Sequence, residues 1–126
     1  MNMEDYVSVE VAQELKNKGY NEPCDRFYCK MYDHILNCSD GLRFKRVSYR
    51  QLEEGDTLIP PLYEAQKWLR EKHKIHIELS VDSQFHNIWF FVLYSLNYHQ
   101  TINTHGGMDS YEEALNEGIK EAIKYI

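Results

Sequence analysis

The sequence predicts an α+β fold, a mainly antiparallel sheet with three helices in the order α-β-β-α-β-β-(β)-α. Three observations lead there. Apolar residues recur at helical spacing in segments near the start, the middle and the end of the chain. Between these lie stretches that alternate apolar and polar residues with the period-two repeat of half-buried strands. The alternating stretches come in neighbouring pairs, with turn chemistry between them. At 126 residues the length fits one domain, 1–126, able to bury a core without staples.

The first helix is read in "VEVAQELKNK". Ser8 is a natural N-cap, because its hydroxyl accepts from a free backbone N–H. Val11, Ala12 and Leu15 share a face, Gly19 suits a left-handed end, and Tyr20 folds back on the last turn. In "EPCDRFYCKMYD", Phe27, Cys29 and Met31 alternate with Arg26, Tyr28, Lys30 and Tyr32, which predicts a strand with the first set inward. "NCSDG" is turn chemistry. "LRFKRVSYR" reads as a second strand, with a change of phase between Phe44 and Val47. "QLEEGDTLIP" reads as a loop.

"PPLYEAQKWLREKH" predicts the second helix. Pro61 sits in the first turn, where its missing N–H is not needed, and Leu62, Ala65 and Leu69 face inward beside Trp68. "KIHIELSVD" alternates Ile75, Ile77, Leu79 and Val81 against His76, Glu78 and Ser80, the clearest strand pattern in the chain. "SQFHNIWFFVLYSLNYHQ" supplies its hairpin partner, turning near Ser83–Asn87, and a short strand is expected over Tyr98–Thr104. "HGGMD" breaks the pattern. "SYEEALNEGIKEAIKYI" closes as a helix with a capping box on Ser110 and Glu113. Its apolar stripe runs through Tyr111, Ala114, Leu115, Gly118, Ile119, Ala122, Ile123 and Ile126. Gly118 inside that stripe predicts close contact between helix backbone and sheet, since Gly there costs about 1 kcal/mol against Ala.

Composition narrows the function. A net charge of −6 argues against general binding to nucleic acid or anionic membrane, which needs clustered Lys and Arg. Three cysteines, an odd number, argue against a disulfide framework. The acidic N-terminus "MNMEDYVSVE" does not resemble a signal peptide. The apolar run Ile88–Leu96 falls short of the roughly 20 residues a membrane helix needs. The expected setting is the cytoplasm.

"GYNEPCD", "PPLYEAQKWLREKHKIHIE" and "SYEEALNEGIKEAIKYI" together resemble a group of small uncharacterised proteins of gut Bacteroides-type bacteria and their prophages or mobile elements. That group carries no catalytic signature and no assigned activity. The resemblance implies a phage or mobile-element accessory protein and transfers no functional residues.

Candidate sites follow from residue type. Cys24, Cys29, His34 and Cys38 have the residue types of a zinc site, but lack the paired short spacings that zinc sites use. Neither metal nor cofactor is expected. Arg43, Lys45, Arg46, Tyr49 and Arg50 form the one basic patch, suited to a nucleic-acid strand with phosphates on the cations and a base on Tyr49. Glu53, Glu54 and Asp56 balance it in the next loop. His76 and Glu78 share a strand face as an acid/base couple, yet no nucleophile motif, phosphate loop or zinc helix accompanies them. A small enzyme is therefore the third reading. A DNA-mimic role would need carboxylates along one elongated face, and here they are scattered. The most informative stretch is the apolar strand. Trp89, Phe91 and Leu93 point one way, and Ile88, Phe90, Val92 and Tyr94 the other. The neighbouring strand is apolar on one side only. The second set thus predicts an interface, covered either by the N-terminal hairpin or by another protein. The function expected is a non-enzymatic binding or interaction module, self-associating or bound to an unknown protein partner.

Overall fold

Ser8 does what its position predicts: its Oγ accepts the Val11 N–H at 3.3 Å and opens helix α1, Val9–Asn17. The computed structural model describes residues 5–38, 44–82, 84 and 88–126. They gather into two compact units, Tyr6–Pro60 and one holding Pro61–Ile126. The element order is α-β-β-β-α-β-β-β-α, an antiparallel α+β architecture whose strands divide into two three-stranded sheets.

In the first unit, α1 buries Val11, Ala12 and Leu15. The chain leaves the helix through Gly19, at φ +93°, and Tyr20 folds back with its N–H on the Leu15 carbonyl. Strand β1, Arg26–Cys29, lies between β2, His34–Asn37, and β3, Thr57–Leu58. Phe27 pairs with Leu36 on one side and Leu58 on the other.

Four expectations change here. Phe27 and Cys29 are buried as predicted, but Met31 is 81% exposed because β1 ends at Cys29 and Met31 falls in the hairpin turn. Arg26, expected on the wet side, is buried: its Nε donates to Asn37 Oδ1 at 2.7 Å, and its guanidinium lies 3.7 Å from the Tyr6 ring centre. The second strand is His34–Asn37, not the basic strand Arg43–Arg50. Within 44–50 only Val47 pairs, in an isolated bridge with Cys24. Most of the "NCSDG" turn, together with Leu42 and Arg43, lies outside the described residues. The expected loop also contributes β3, held in place where the buried Asp56 carboxylate accepts the Lys30 and Glu53 N–H groups.

In the second unit, helix α2 spans Leu62–His73 and buries Leu62, Ala65, Trp68 and Leu69, so Trp68 belongs to the core rather than its flank. Pro61 stands at the N-cap, and Lys74 closes the helix in the left-handed region at φ 58°. Strands β4, Ile75–Asp82, β5, Ile88–Ser95, and β6, Gln100–Met108, form a sheet with β5 in the centre. The turn expected near Ser83–Asn87 lies, apart from Gln84, outside the described residues. The third strand is longer than expected and runs through His105–Met108. Two bulges absorb its extra residues, and Gly107 takes φ +93° at one of them.

Helix α3, Tyr111–Ile123, begins at Ser110, whose Oγ accepts the Glu113 N–H at 3.1 Å. The returning Glu113 carboxylate takes the Asp109 N–H at 3.3 Å, one residue before the position a reciprocal box uses. Ala114, Leu115, Gly118, Ile119, Ala122 and Ile123 are buried, while Tyr111 at the start of the stripe is exposed. Both helices pack on each other and on one face of the sheet, over Ile75, Ile77, Phe91 and Leu93. Ile75 and Ile77 are buried there, but Val81 is exposed where the strand runs past the helices.

Candidate interaction surfaces

Pairing registers assign the second sheet's two faces. Ile77 pairs with Leu93 and Leu79 with Phe91 on the helix-covered face. On the opposite face the cross-strand rows are His76–Tyr94–Thr101, Glu78–Val92–Thr104, Ser80–Phe90 and Asp82–Ile88. Gly106 completes the Phe90 row, since a Cβ built on it would stand 3.4 Å from Phe90 Cβ. The sequence-predicted set Ile88, Phe90, Val92 and Tyr94 therefore forms a single apolar spine on the central strand, each side chain half-buried. One margin of the spine, along β4, is polar and carries two carboxylates and an imidazole. The other, along β6, is polar and uncharged.

His76 stands at one end of the charged margin. Its Nδ1 is buried without a hydrogen-bond partner. Glu78 lies on the same face two residues on, so the sequence-read couple does share a surface, and neither side chain lines the groove between β6 and α3.

On the helix side, β6 and α3 enclose a groove of about 340 Å³ lined by Phe91, His105, Met108, Glu113, Glu117 and Glu121 among others. The His105 ring lies 5.6 Å from the Phe91 ring, and Asn103 Nδ2 donates to Glu121 at 3.1 Å. The hydrogen bond from Lys124 is the main cause holding the Glu121 carboxyl below the usual carboxylate range. Sequence reading missed this groove. Its signal was three glutamates spaced by four on α3, a spacing that also describes an ordinary wet helix face.

In the first unit the basic segment keeps Lys45, Arg46 and Arg50 exposed, while Arg43 lies outside the described residues. Tyr49 is half-buried. Its hydroxyl accepts the Leu58 N–H at 3.0 Å, and Lys16 Nζ sits 5.2 Å from its ring centre. Burial pushes the Tyr49 phenol up to about 12. Cys24, Cys29 and Cys38 are buried and form no disulfide, and burial followed by the Asp25 charge raises the Cys38 thiol. Among the described residues no group of three or more His, Cys, Asp or Glu is placed to hold a metal ion. No described helix is long and apolar enough to cross a membrane.

Comparison with protein-family models, with curated proteins and with solved structures finds no match to this chain.

Proposed function

We propose that this protein is a non-enzymatic interaction module that associates with itself through the face of the β4–β5–β6 sheet opposite α2 and α3. One observation carries the reading: four large apolar side chains, Ile88, Phe90, Val92 and Tyr94, stand in a row on the face away from both helices of their unit. An apolar spine with polar margins is the usual layout of a protein–protein surface. The setting we place it in is that of a cytoplasmic accessory protein of phage or mobile-element type, as the resemblance implies.

Nucleic-acid binding through Lys45, Arg46, Tyr49 and Arg50 is less well supported. The Tyr49 ring already has Lys16 over it and its hydroxyl tied to Leu58, which leaves a poor stacking platform for a base.

Sedimentation equilibrium over a concentration series tests the proposal. The wild-type chain is expected to dimerise, and Phe90→Lys/Val92→Lys to remain folded and monomeric, because burying two unpaired ammonium groups in a contact is strongly unfavourable. A wild-type chain that stays monomeric to high concentration overturns it.

A further inference from the structure

The way the second copy sits can be read from the same face, on the premise that the face self-associates. Both sheet edges are poorly suited to strand addition. On the β4 edge, the Ile77 carbonyl accepts from Gln66 Nε2 at 2.8 Å. On the β6 edge, bulges between Trp89 and Phe91 and between Leu93 and Tyr94 break the regular row of donors and acceptors. Capping and bulging are how edges are kept from pairing. A second copy is thus directed to the face.

Two symmetric stackings keep the strands of face-to-face sheets aligned. A two-fold axis along the strands lays each row on itself, with β4 over the uncharged β6 margin of the partner. His76 then faces the partner's Thr101, which is uncharged, and is offered no carboxylate. An axis across the strands lays β4 over the partner's β4 in reverse order. We infer the second arrangement: the axis passes between Phe90 and Val92, the copies run antiparallel, and His76 of each meets the partner's Asp82.

This arrangement resolves three features together. Val92 packs on the partner's Phe90 and Tyr94 on the partner's Ile88, so large side chains oppose smaller ones. Glu78 meets the partner's Ser80, a hydroxyl donor, and no carboxylate faces a carboxylate although the chain carries a net charge of −6. His76 has its Nδ1 buried without a partner, so Nε2 is the ring nitrogen left to bond the partner's Asp82 carboxylate in this arrangement. Asp82 Oδ1 accepts the Gln84 N–H at 3.0 Å, and a carboxylate has capacity for a further donor. Glu78 and Tyr94 are the other titratable groups on the described part of this face. Eight residues by three strands is roughly 26 Å by 14 Å, a small interface, so the dimer belongs to the weak, reversible class.

Charge exchange in the full chain tests the arrangement, with melting curves confirming that each variant folds. His76→Asp sets carboxylates against each other twice, and Asp82→His sets imidazoles against each other twice. Each single variant is expected to weaken the dimer, His76→Asp by about tenfold. The double variant His76→Asp/Asp82→His is expected to return within about threefold of wild type. An equimolar mixture of the two single variants should associate more tightly than either alone, since their heterodimer restores both pairs. If neither the double variant nor the mixture recovers association, while Phe90→Lys/Val92→Lys abolishes it, the arrangement is wrong and self-association through the face stands. If the dimer survives Phe90→Lys/Val92→Lys, or the wild type is monomeric, both readings fall.

Discussion

A Cβ placed on Gly118 would stand 2.8 Å from Ile77 Cγ2 and 3.2 Å from the Phe91 ring, so α3 meets the sheet backbone-first at this point. Ile77 is β-branched and buried, which leaves its methyl little freedom to move aside. Gly118→Ala would gain about 1 kcal/mol of helix propensity and lose more to overpacking. Gly118→Leu is expected to destabilise by about 1–3 kcal/mol in chemical denaturation. A neutral or stabilising result would mean that α3 stands further from the sheet.

Helix α3 should be indispensable. It contributes Ala114, Leu115, Ile119, Ala122 and Ile123 to the core over β4 and β5, and without it that sheet face meets water. Deleting Ser110–Ile126 is expected to give insoluble or molten protein. A truncated chain that is soluble and melts cooperatively would contradict this. A milder probe of the same helix is Ser110→Ala, which removes the hydroxyl that accepts the Glu113 N–H and should cost about 1 kcal/mol.

Tyr49 gives the first unit a pH signature. Its folded value of about 12 lies above the ordinary phenol value of 10.0, chiefly because of burial. The native state therefore holds this proton more tightly than the unfolded chain. Its contribution to stability is complete below pH 10, and is lost as pH rises from there towards 12. Tyr49→Phe should flatten the alkaline decline in melting temperature. At neutral pH the same change removes the acceptor for the Leu58 N–H and should cost about 1 kcal/mol. An unchanged alkaline decline would assign the effect to other groups.

How much of this was legible in the sequence varied with pattern length. Helix α3 and the β4–β5 pair carry long uninterrupted periodicities, and the structure places them where those periodicities run. The face assignment of Ile88, Phe90, Val92 and Tyr94 followed from period two alone. Strand β2 was missed because "HILN" is too short to show any period. The basic segment was read as a strand because Phe44, Val47 and Tyr49 mimic alternation, yet the ladder reaches only Val47. Gly106 and Gly107 read in sequence as a breaker after Thr104, whereas in the sheet they sit at a bulge of β6. Buried Arg26 was illegible for a different reason. Its burial depends on Tyr6 and Asn37, which lie far from it in sequence and come together only in the fold.

We propose the spine of β5 as the surface where this protein binds its own copy. The most direct measurement is a dilution series followed by nuclear magnetic resonance, with the methyl groups of Ile88 and Val92 and the ring of Tyr94 as reporters. Self-association through this face should give concentration-dependent shifts at these residues and at His76 and Asp82, with Leu93 and Ile119 in the covered core unmoved. Shifts that are absent, or that cluster instead along the β6–α3 groove or at Met31 and Tyr32, would contradict it.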